Sequence, residues 1–416
     1  MTGFFTKQET KSAEFSGGKL KTCYSCGLYK NCITPKILPC GDYKKQILNI
    51  GEMPDEISDN AGTPFQGKTG RLLQRTYKNL GIDLFEDCIN TYAVNCRPII
   101  EKDKTRIPTI KEIECCKRRL YSLIKEYKPK LIMVLGNVPL QSLLMDRWMG
   151  SVNTINEWRG FTIPDQEFKT WICPVFSPEF VNTVKDETTA QLIWERDLRV
   201  AFSKLTEDFS KLTEDFPVYV EPKITYLEDI SKLDKIIKNN QIISFDYETT
   251  GIKPHAKGHK IVCCSIAMNE NEVYVFEIPK DKEKQIHLIK ILKNNRILKM
   301  AHNCKFEENW SYEILKTHVR GWHWDSMLAA HILDNRPGIT GLKFQTYVNF
   351  GIVNYNMNIS QYLEAKGSND INKIETLLSN NRDKHELMKY CALDSIHQYR
   401  LAIKQMREIE CKSLPF

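Results

Sequence analysis

Residues 243–251 read ISFDYETTG. An apolar approach through Ile242, Ile243 and Phe245 delivers two acids one residue apart, Asp246 and Glu248, and then stops at Thr249, Thr250 and Gly251. Side chains on a β-strand alternate between faces, so the two carboxylates project together. Neighbouring carboxylates repel unless something positive lies between them, and a hard cation is the usual neutraliser. Taken alone, the pair also fits a solvated edge strand whose acids face water.

Two later segments extend the pattern. AHNCKFEENW (301–310) sets Glu307 near the start of an expected helix, directly behind the strand-like ILKMAH. YCALDS (390–395) lies in a helical stretch, where Tyr390 and Asp394, four residues apart, share one face. Four acids on a strand, a helix following a strand and a C-terminal helix suit a two-metal phosphodiester hydrolase. There, two divalent ions about 4 Å apart activate a water and stabilise the departing 3′ oxygen. All-oxygen ligands point to magnesium or manganese, and the Tyr390 hydroxyl could orient the attacking water.

In this order D-x-E, N-x3-E and Y-x3-D resemble the three motifs of the DEDDy 3′–5′ exonucleases, specifically the proofreading domain of family A DNA polymerases. The resemblance runs from about 225 to 410 and takes in WDSMLAAHILDNRPGITGLKFQTYVNFG (324–351), which is similar to the substrate-side helices of that domain. It implies a ribonuclease H-like domain with a mixed sheet and two bound Mg2+ or Mn2+ ions. Asp246, Glu248, Glu307 and Asp394 would be the ligands and would act with Tyr390 in catalysis. It also implies contacts from Asn303 and Lys305 to a single-stranded or frayed DNA 3′ end. The family usually carries aspartate where this chain has Glu307; glutamate keeps the charge and adds one methylene, and Glu308 is the alternative ligand.

The N-terminal half carries a different signature. Cys23 and Cys26 form a C-x2-C pair, and Cys96 is followed after nineteen residues by Cys116. All nine histidines lie at or after His255, so these thiolates have no imidazole partner nearby. A four-sulfur site of this kind is either zinc or an iron–sulfur cluster. The segments GEMPDEISDNAGTPFQGKTGRLL (51–73), TYAVNCRP (91–98), LIMVLGNVPLQSLL (131–144) and VFSPEFV (175–181) resemble, in order, the blocks of family 4 uracil-DNA glycosylases over roughly 20–200. That resemblance implies a [4Fe-4S] cluster on Cys23, Cys26, Cys96 and Cys116, with Cys32, Cys40 and Cys115 as ordinary thiols.

It also exposes departures at the base pocket. Phe65 matches the family's stacking phenylalanine and Glu52 the acid of its first motif. Tyr92, however, stands at the base-reading asparagine, Ser177 at the histidine of the H-P block, and Met53 at a very small residue. One phenol cannot offer an amide's paired donor and acceptor, and a site built on base-edge hydrogen bonds can owe them about 10⁴–10⁵-fold discrimination. The expectation is a vestigial pocket at Glu52, Phe65, Tyr92 and Ser177 that does not excise uracil and serves as a DNA-binding or structural module.

The 416 residues suffice for two domains. Apolar runs alternate with helical stretches up to about 200, which predicts an α/β three-layer domain with a mainly parallel sheet. After about 218 the chain is strand-rich and then helix-rich. The expected division is 1–202, a glycosylase-like domain; 203–220, a helix extension and linker containing the tandem SKLTEDFSKLTEDF; and 221–416, the exonuclease domain. A net charge of +7 is compatible with a polyanionic partner. No signal pattern or membrane-length apolar run occurs, so a cytoplasmic location is expected, that of the host cell if the protein is phage-encoded.

The domain order resembles the N-terminal part of family A DNA polymerases of large phages of Gram-positive hosts, where a polymerase domain follows. Here the chain ends after the third motif. It would be a subunit working with a polymerase encoded separately, one portion of an interrupted gene, or an excised fragment. Two other functions compete with the exonuclease reading: a non-catalytic polymerase accessory, and an active base glycosylase fused to a nuclease.

Overall fold

The computed structural model describes residues 23–413, except 100–104, 146, 149–151, 153, 185–187, 206–215, 240, 354 and 356–358. The chain divides into two compact units between Val218 and Tyr219.

The first unit begins with α1 (Cys23–Cys26), β1 (Ile47–Gly51), α2 (Glu56–Ala61), α3 (Lys68–Asn79), β2 (Cys88–Tyr92) and α4 (Ile110–Tyr127). It continues with β3 (Leu131–Leu135), α5 (Asn137–Leu144), α6 (Ile155–Trp158), β4 (Ile163–Asp165), β5 (Thr170–Val175), α7 (Pro178–Thr183) and α8 (Thr188–Phe202). Its sheet has the order β2-β1-β3-β5-β4. All neighbours are parallel except β4, which runs antiparallel to β5. Every residue of β1, β2 and β3 is buried, and strands covered on both faces read as continuous apolar runs rather than as alternation. The buried polar residues pair with one another: Asn49 Nδ2 donates to Asn90 Oδ1 (2.9 Å), and the Tyr77 hydroxyl donates to Asn49 Oδ1 (2.9 Å).

Helix α8 stops at Phe202. Ser203 turns its hydroxyl back to the Val200 carbonyl (2.7 Å), and Leu205 N–H closes a tight turn on Phe202 O (2.9 Å). Serine competes for backbone groups in this way at helix ends. The rest of the tandem, 206–215, lies outside the described residues.

The second unit opens with β6 (Lys223–Tyr226), α9 (Leu233–Ile236), β7 (Ile242–Thr249), β8 (Ile261–Asn269), β9 (Glu272–Glu277) and α10 (Lys282–Lys293). It continues with β10 (Leu298–Ala301), α11 (Cys304–Leu315), β11 (Trp322–Asp325) and α12 (Ser326–Leu333). Last come α13 (Leu342–Phe350), α14 (Ser360–Leu363) and the long α15 (Asn381–Ser413). The sheet is mixed, in the order β11-β10-β7-β8-β9-β6. Strand β7 lies inside it, parallel to β10 and antiparallel to β8. An edge-strand account of Asp246 and Glu248 therefore does not hold.

Alternation along β7 divides the core. Ile243, Phe245 and Tyr247 pack with Leu288, Trp310 and Leu315 from α10 and α11, while Met388, Tyr390 and Cys391 of α15 pack with Val262 and Cys263 of β8 in a second cluster. Helix α15 is tied to the sheet by buried hydrogen bonds at successive turns. Ser265 Oγ donates to Cys391 O (2.7 Å) and Ser244 Oγ to Ser395 O (2.7 Å). Gln398 Nε2 donates to Phe245 O (2.7 Å), and Gln398 Oε1 accepts from His302 N (2.9 Å). A single amide thus holds β7, the end of β10 and α15 in register.

Replacing it should be costly, because unmade buried hydrogen bonds carry the full desolvation penalty of the orphaned groups. Gln398→Leu is expected to lower the unfolding free energy of this unit by about 3 kcal/mol, read from its transition in urea by circular dichroism; an unchanged midpoint would remove the amide from this role.

Candidate active site

The four acids of the second unit converge although they come from three elements. Asp246 and Glu248 lie on β7, Glu307 in the first turn of α11, and Asp394 mid-way along α15. Ligand atoms of Asp246, Glu248 and Cys391 fall within 4.8 Å of one another. Glu248, Glu307 and Asp394 are buried and Asp246 is partly so. Burial, and then the Asp394 charge, push the Asp246 carboxyl well above the carboxylate range. Burial followed by Asp246 does the same to Glu248 and to Glu307. Carboxylates crowded in a poorly hydrated site cannot all ionise without added positive charge. Glu307 Oε2 is buried without a hydrogen-bond partner. An oxygen-rich set with an orphaned carboxylate oxygen suits hard divalent ions such as Mg2+ or Mn2+.

Of the two adjacent glutamates, only Glu307 faces this cluster. The Glu308 carboxylate is engaged elsewhere, with His318 Nδ1 (2.8 Å), Val319 N (3.1 Å) and Trp322 Nε1 (3.1 Å). Tyr390 lies one helical turn before Asp394, and burial, then Asp394 and Glu248, raise its hydroxyl well above the ordinary phenol range. Asn303 takes a left-handed conformation (φ 75°) at the start of α11, and Lys305 beyond it is exposed.

Three residues that the motif reading passed over shape the site. The Asp325 carboxylate accepts backbone N–H groups from Asn303 (3.1 Å), Cys304 (2.9 Å), Met327 (3.0 Å) and Leu328 (3.2 Å). It caps α12 and clamps the start of α11, and so sets where Glu307 points. The sequence does carry its signal, an Asp-Ser pair before an apolar helical run. Lys343 pairs with Asp394 Oδ1, and the Tyr355 hydroxyl donates to the same oxygen. No local pattern marks either of these two. His302 is held by burial at about 4, too low for a base at neutral pH.

Beside Glu248 a cleft opens, lined by Ile252, Phe306, Leu363, Lys366 and Asn372. It offers an apolar wall and an amide next to the acids.

In the first unit, Glu52 Oε1 accepts from the Asn137 and Val138 N–H groups (2.9 and 3.2 Å) at the start of α5. A Cβ on Gly136 would come within 2.8 Å of both Glu52 and Ser177, so these residues crowd together. Ser177 spends its hydroxyl capping α7, accepting from Phe180 N (3.1 Å). The Tyr92 hydroxyl accepts from Phe65 N (2.9 Å) and donates to Ser58 Oγ (3.2 Å). The Phe65 and Tyr92 ring centroids are 5.1 Å apart, and both residues are buried. A Cβ on Gly51 would meet both rings below 3.0 Å; the space over Gly51 is filled by the protein's own aromatics. Met53 is partly buried.

The cysteines gather separately. Cys116 on α4 feels the charges of Cys26 and Cys23 on α1, and Cys96 those of Cys32 and Cys116. Lys36 N donates to Cys96 Sγ (3.2 Å), and the Asn95 backbone approaches Cys116. Among the described residues, no three of these sulfurs lie within 4.8 Å of one another, whereas the edge of a zinc–thiolate tetrahedron with 2.3 Å bonds is about 3.8 Å. Cys32, expected to be an ordinary thiol, stands in hydrogen-bond contact with Cys96. Cys115 is buried beside Cys116, while Cys40 makes a bridge to Asn90.

Comparison with known proteins bears on both units. Residues 196–410 match the family model described as 3′-5′ exonuclease, and residues 38–199 that of the uracil DNA glycosylase superfamily. The type-4 uracil-DNA glycosylase of Saccharolobus solfataricus is 31% identical over 166 residues, covering 38% of this chain and 72% of that protein. That of Thermotoga maritima is 29% identical over 191 residues, covering 46% of this chain and 93% of that protein. The DNA polymerase of Bacillus phage SP01 is 24% identical over 328 residues, 71% of this chain. The chain spans only 33% of that polymerase, and 61% of the type-4 enzyme of Pyrobaculum aerophilum. Among solved structures, Brucella melitensis NrnC with bound Mg2+ aligns at 16% identity and a TM-score of 0.34, covering 46% of this chain and 84% of that one. Escherichia coli RNase D, an exoribonuclease, aligns at 15% identity and a TM-score of 0.34, covering 46% of each chain. Through residues 196–410 the chain belongs to the 3′-5′ exonuclease family, joined in one polypeptide to a domain of the uracil DNA glycosylase superfamily.

Proposed function

We propose that the protein is a metal-dependent 3′–5′ exonuclease of the proofreading type, acting on single-stranded or frayed DNA 3′ ends. One observation carries the reading: Asp246, Glu248, Glu307 and Asp394 are brought together, three of them buried and Asp246 partly so, and desolvation followed by a neighbouring carboxylate holds each of the first three above its ordinary range. When bound, two divalent ions supply the positive charge that stabilises the attacking and departing oxygens. Asp246, Glu248, Glu307 and Asp394 would hold them. The Tyr390 hydroxyl would orient the water for in-line attack on the last phosphodiester. The terminal base would enter the cleft between Phe306 and Leu363, with Asn303 and Lys305 steering the strand. DNA as substrate is favoured by the kinship of both halves with proteins named for DNA, and a DNA polymerase domain or subunit would be the natural partner.

In this reading the N-terminal unit holds DNA or braces the protein and does not excise uracil. A base reader must keep donor and acceptor groups open for the flipped base. The Tyr92 hydroxyl is instead spent on Phe65 and Ser58, and the first 254 residues contain no histidine. Cys23, Cys26, Cys96 and Cys116 would carry a [4Fe-4S] cluster. Its thiolates need spacing wider than a single zinc ion imposes, and backbone N–H groups near the sulfurs tune such clusters.

Degradation of 5′-labelled single-stranded DNA tests the main reading. A Mg2+-dependent ladder, unaffected by uracil, silenced by EDTA and lost in Asp246→Ala, is expected; alkali-labile abasic sites in uracil-containing DNA would instead restore the glycosylase. RNA of the same sequence in a parallel lane reads the sugar preference.

Crowded carboxylates also predict a pH dependence without metal. Their folded-state values are raised above the roughly 4 of an unfolded chain, so over that interval the native state binds more protons and stability falls as pH rises. In EDTA the melting temperature should drop from pH 4 towards neutrality. Asp246→Asn should flatten the drop and stabilise the metal-free protein by about 1 kcal/mol at pH 7, measured by calorimetry.

For the cluster, anaerobically purified protein should contain about four irons per chain. Its visible absorption should bleach with dithionite, and Cys116→Ala should lose both; bound zinc in place of iron would refute the assignment.

A further inference from the structure

Lys343 occupies an unusual place for a cation. It lies in the first turn of α13, fifty-one residues before Asp394, and its ammonium pairs with Asp394 Oδ1. The same nitrogen stands 3.9 Å from the centre of the Tyr355 ring and 4.2 Å from that of Tyr390. Those rings lie 6.0 Å apart at 36° and flank it. The Tyr355 hydroxyl donates to the oxygen that Lys343 holds. Among the described residues, Lys343 is the cation whose charge opposes the crowding of both Asp246 and Glu248. An ammonium between two aromatic faces and a carboxylate is stabilised by both.

The ammonium therefore stands where the acids need positive charge, on the one ligand carried by α15. A lysine is suited to such a temporary post. Its charge sits at the end of a flexible four-carbon stem, and its rotatable donors impose no planar geometry. The two tyrosine faces give it somewhere to remain once Asp394 is taken.

We propose that Lys343 is the internal counter-ion of the acidic cluster. It neutralises Asp394 and steadies the Tyr390 ring while no metal is bound, and it surrenders Asp394 when a divalent cation arrives. Lys343 is thus a positioning residue that sets the metal affinity of the site. The inference rests on the reading that the acids bind divalent metal, and it deepens that reading by identifying what the metal must displace.

The consequence runs in opposite directions for the two states. Removing the charge should weaken the metal-free fold and strengthen metal binding, whereas a merely structural lysine would weaken both. Calorimetric titration with Mn2+ of the full chain, wild type against Lys343→Met, should show affinity about tenfold tighter in the variant. In EDTA the variant should melt several degrees lower. Lys343→Arg, which keeps the charge, should restore the melting temperature. Unchanged or weaker Mn2+ binding by Lys343→Met overturns the proposal.

A second measurement needs no variant. Acylation of Lys343 in wild-type protein, followed by mass spectrometry, should be slow in EDTA and several-fold faster with Mn2+; equal rates overturn the proposal even if Lys343→Met does not fold. If wild type and Asp246→Ala alike bind no Mn2+ at these acids, the metal reading itself fails, an outcome distinct from loss of the counter-ion alone.

Discussion

Like-charge repulsion among buried carboxylates is the constraint around which the second unit is organised. Asp246, Glu248, Glu307 and Asp394 would separate if left to themselves, since unpaired charge in a low-dielectric site is among the costliest features a fold can carry. They stay together because hydrogen bonds to backbone groups fix the elements that bear them. Ser244, Ser265 and Gln398 bind α15 to the sheet one turn at a time, and Asp325 pins the start of α11 with four backbone N–H groups. The stored repulsion is then available to a cation, which relieves it. Lys343 supplies part of that relief within the chain.

The N-terminal unit shows the opposite treatment of a site. A pocket that must stay open for a base needs polar groups without internal partners, and the hydroxyls at two of the positions that match the family's pocket have internal partners. Tyr92 and Ser177 satisfy their hydroxyls within the fold, and Phe65 closes over Gly51. The cysteines follow another logic. They are spaced loosely around backbone N–H groups, and burial raises the Cys96 thiol to about 12 and the Cys116 thiol to about 11.

Much of the architecture was legible in the chain because it depends on local periodicity. Continuous apolar runs announced the parallel strands of the first unit, and alternation in 243–248 put Asp246 and Glu248 on one face. Short, weakly apolar strands such as β4, β6 and β11 carried no comparable signal.

The sequence by itself determined the chemistry on offer: acids paired by strand alternation, Tyr390 and Asp394 one turn apart, thiols at C-x2-C spacing, and an N-terminal half without histidine. These follow from spacing along one element, which the chain writes directly. Only the tertiary structure decided which glutamate joins the cluster, since Glu307 and Glu308 differ by one helical step and the second is claimed by His318 and Trp322. It alone brought Lys343 to Asp394 and turned Tyr92 inward. Those outcomes rest on contacts between residues ten to fifty-one positions apart, whose pairing is set by how sheets and helices pack rather than by any pattern in the neighbouring residues.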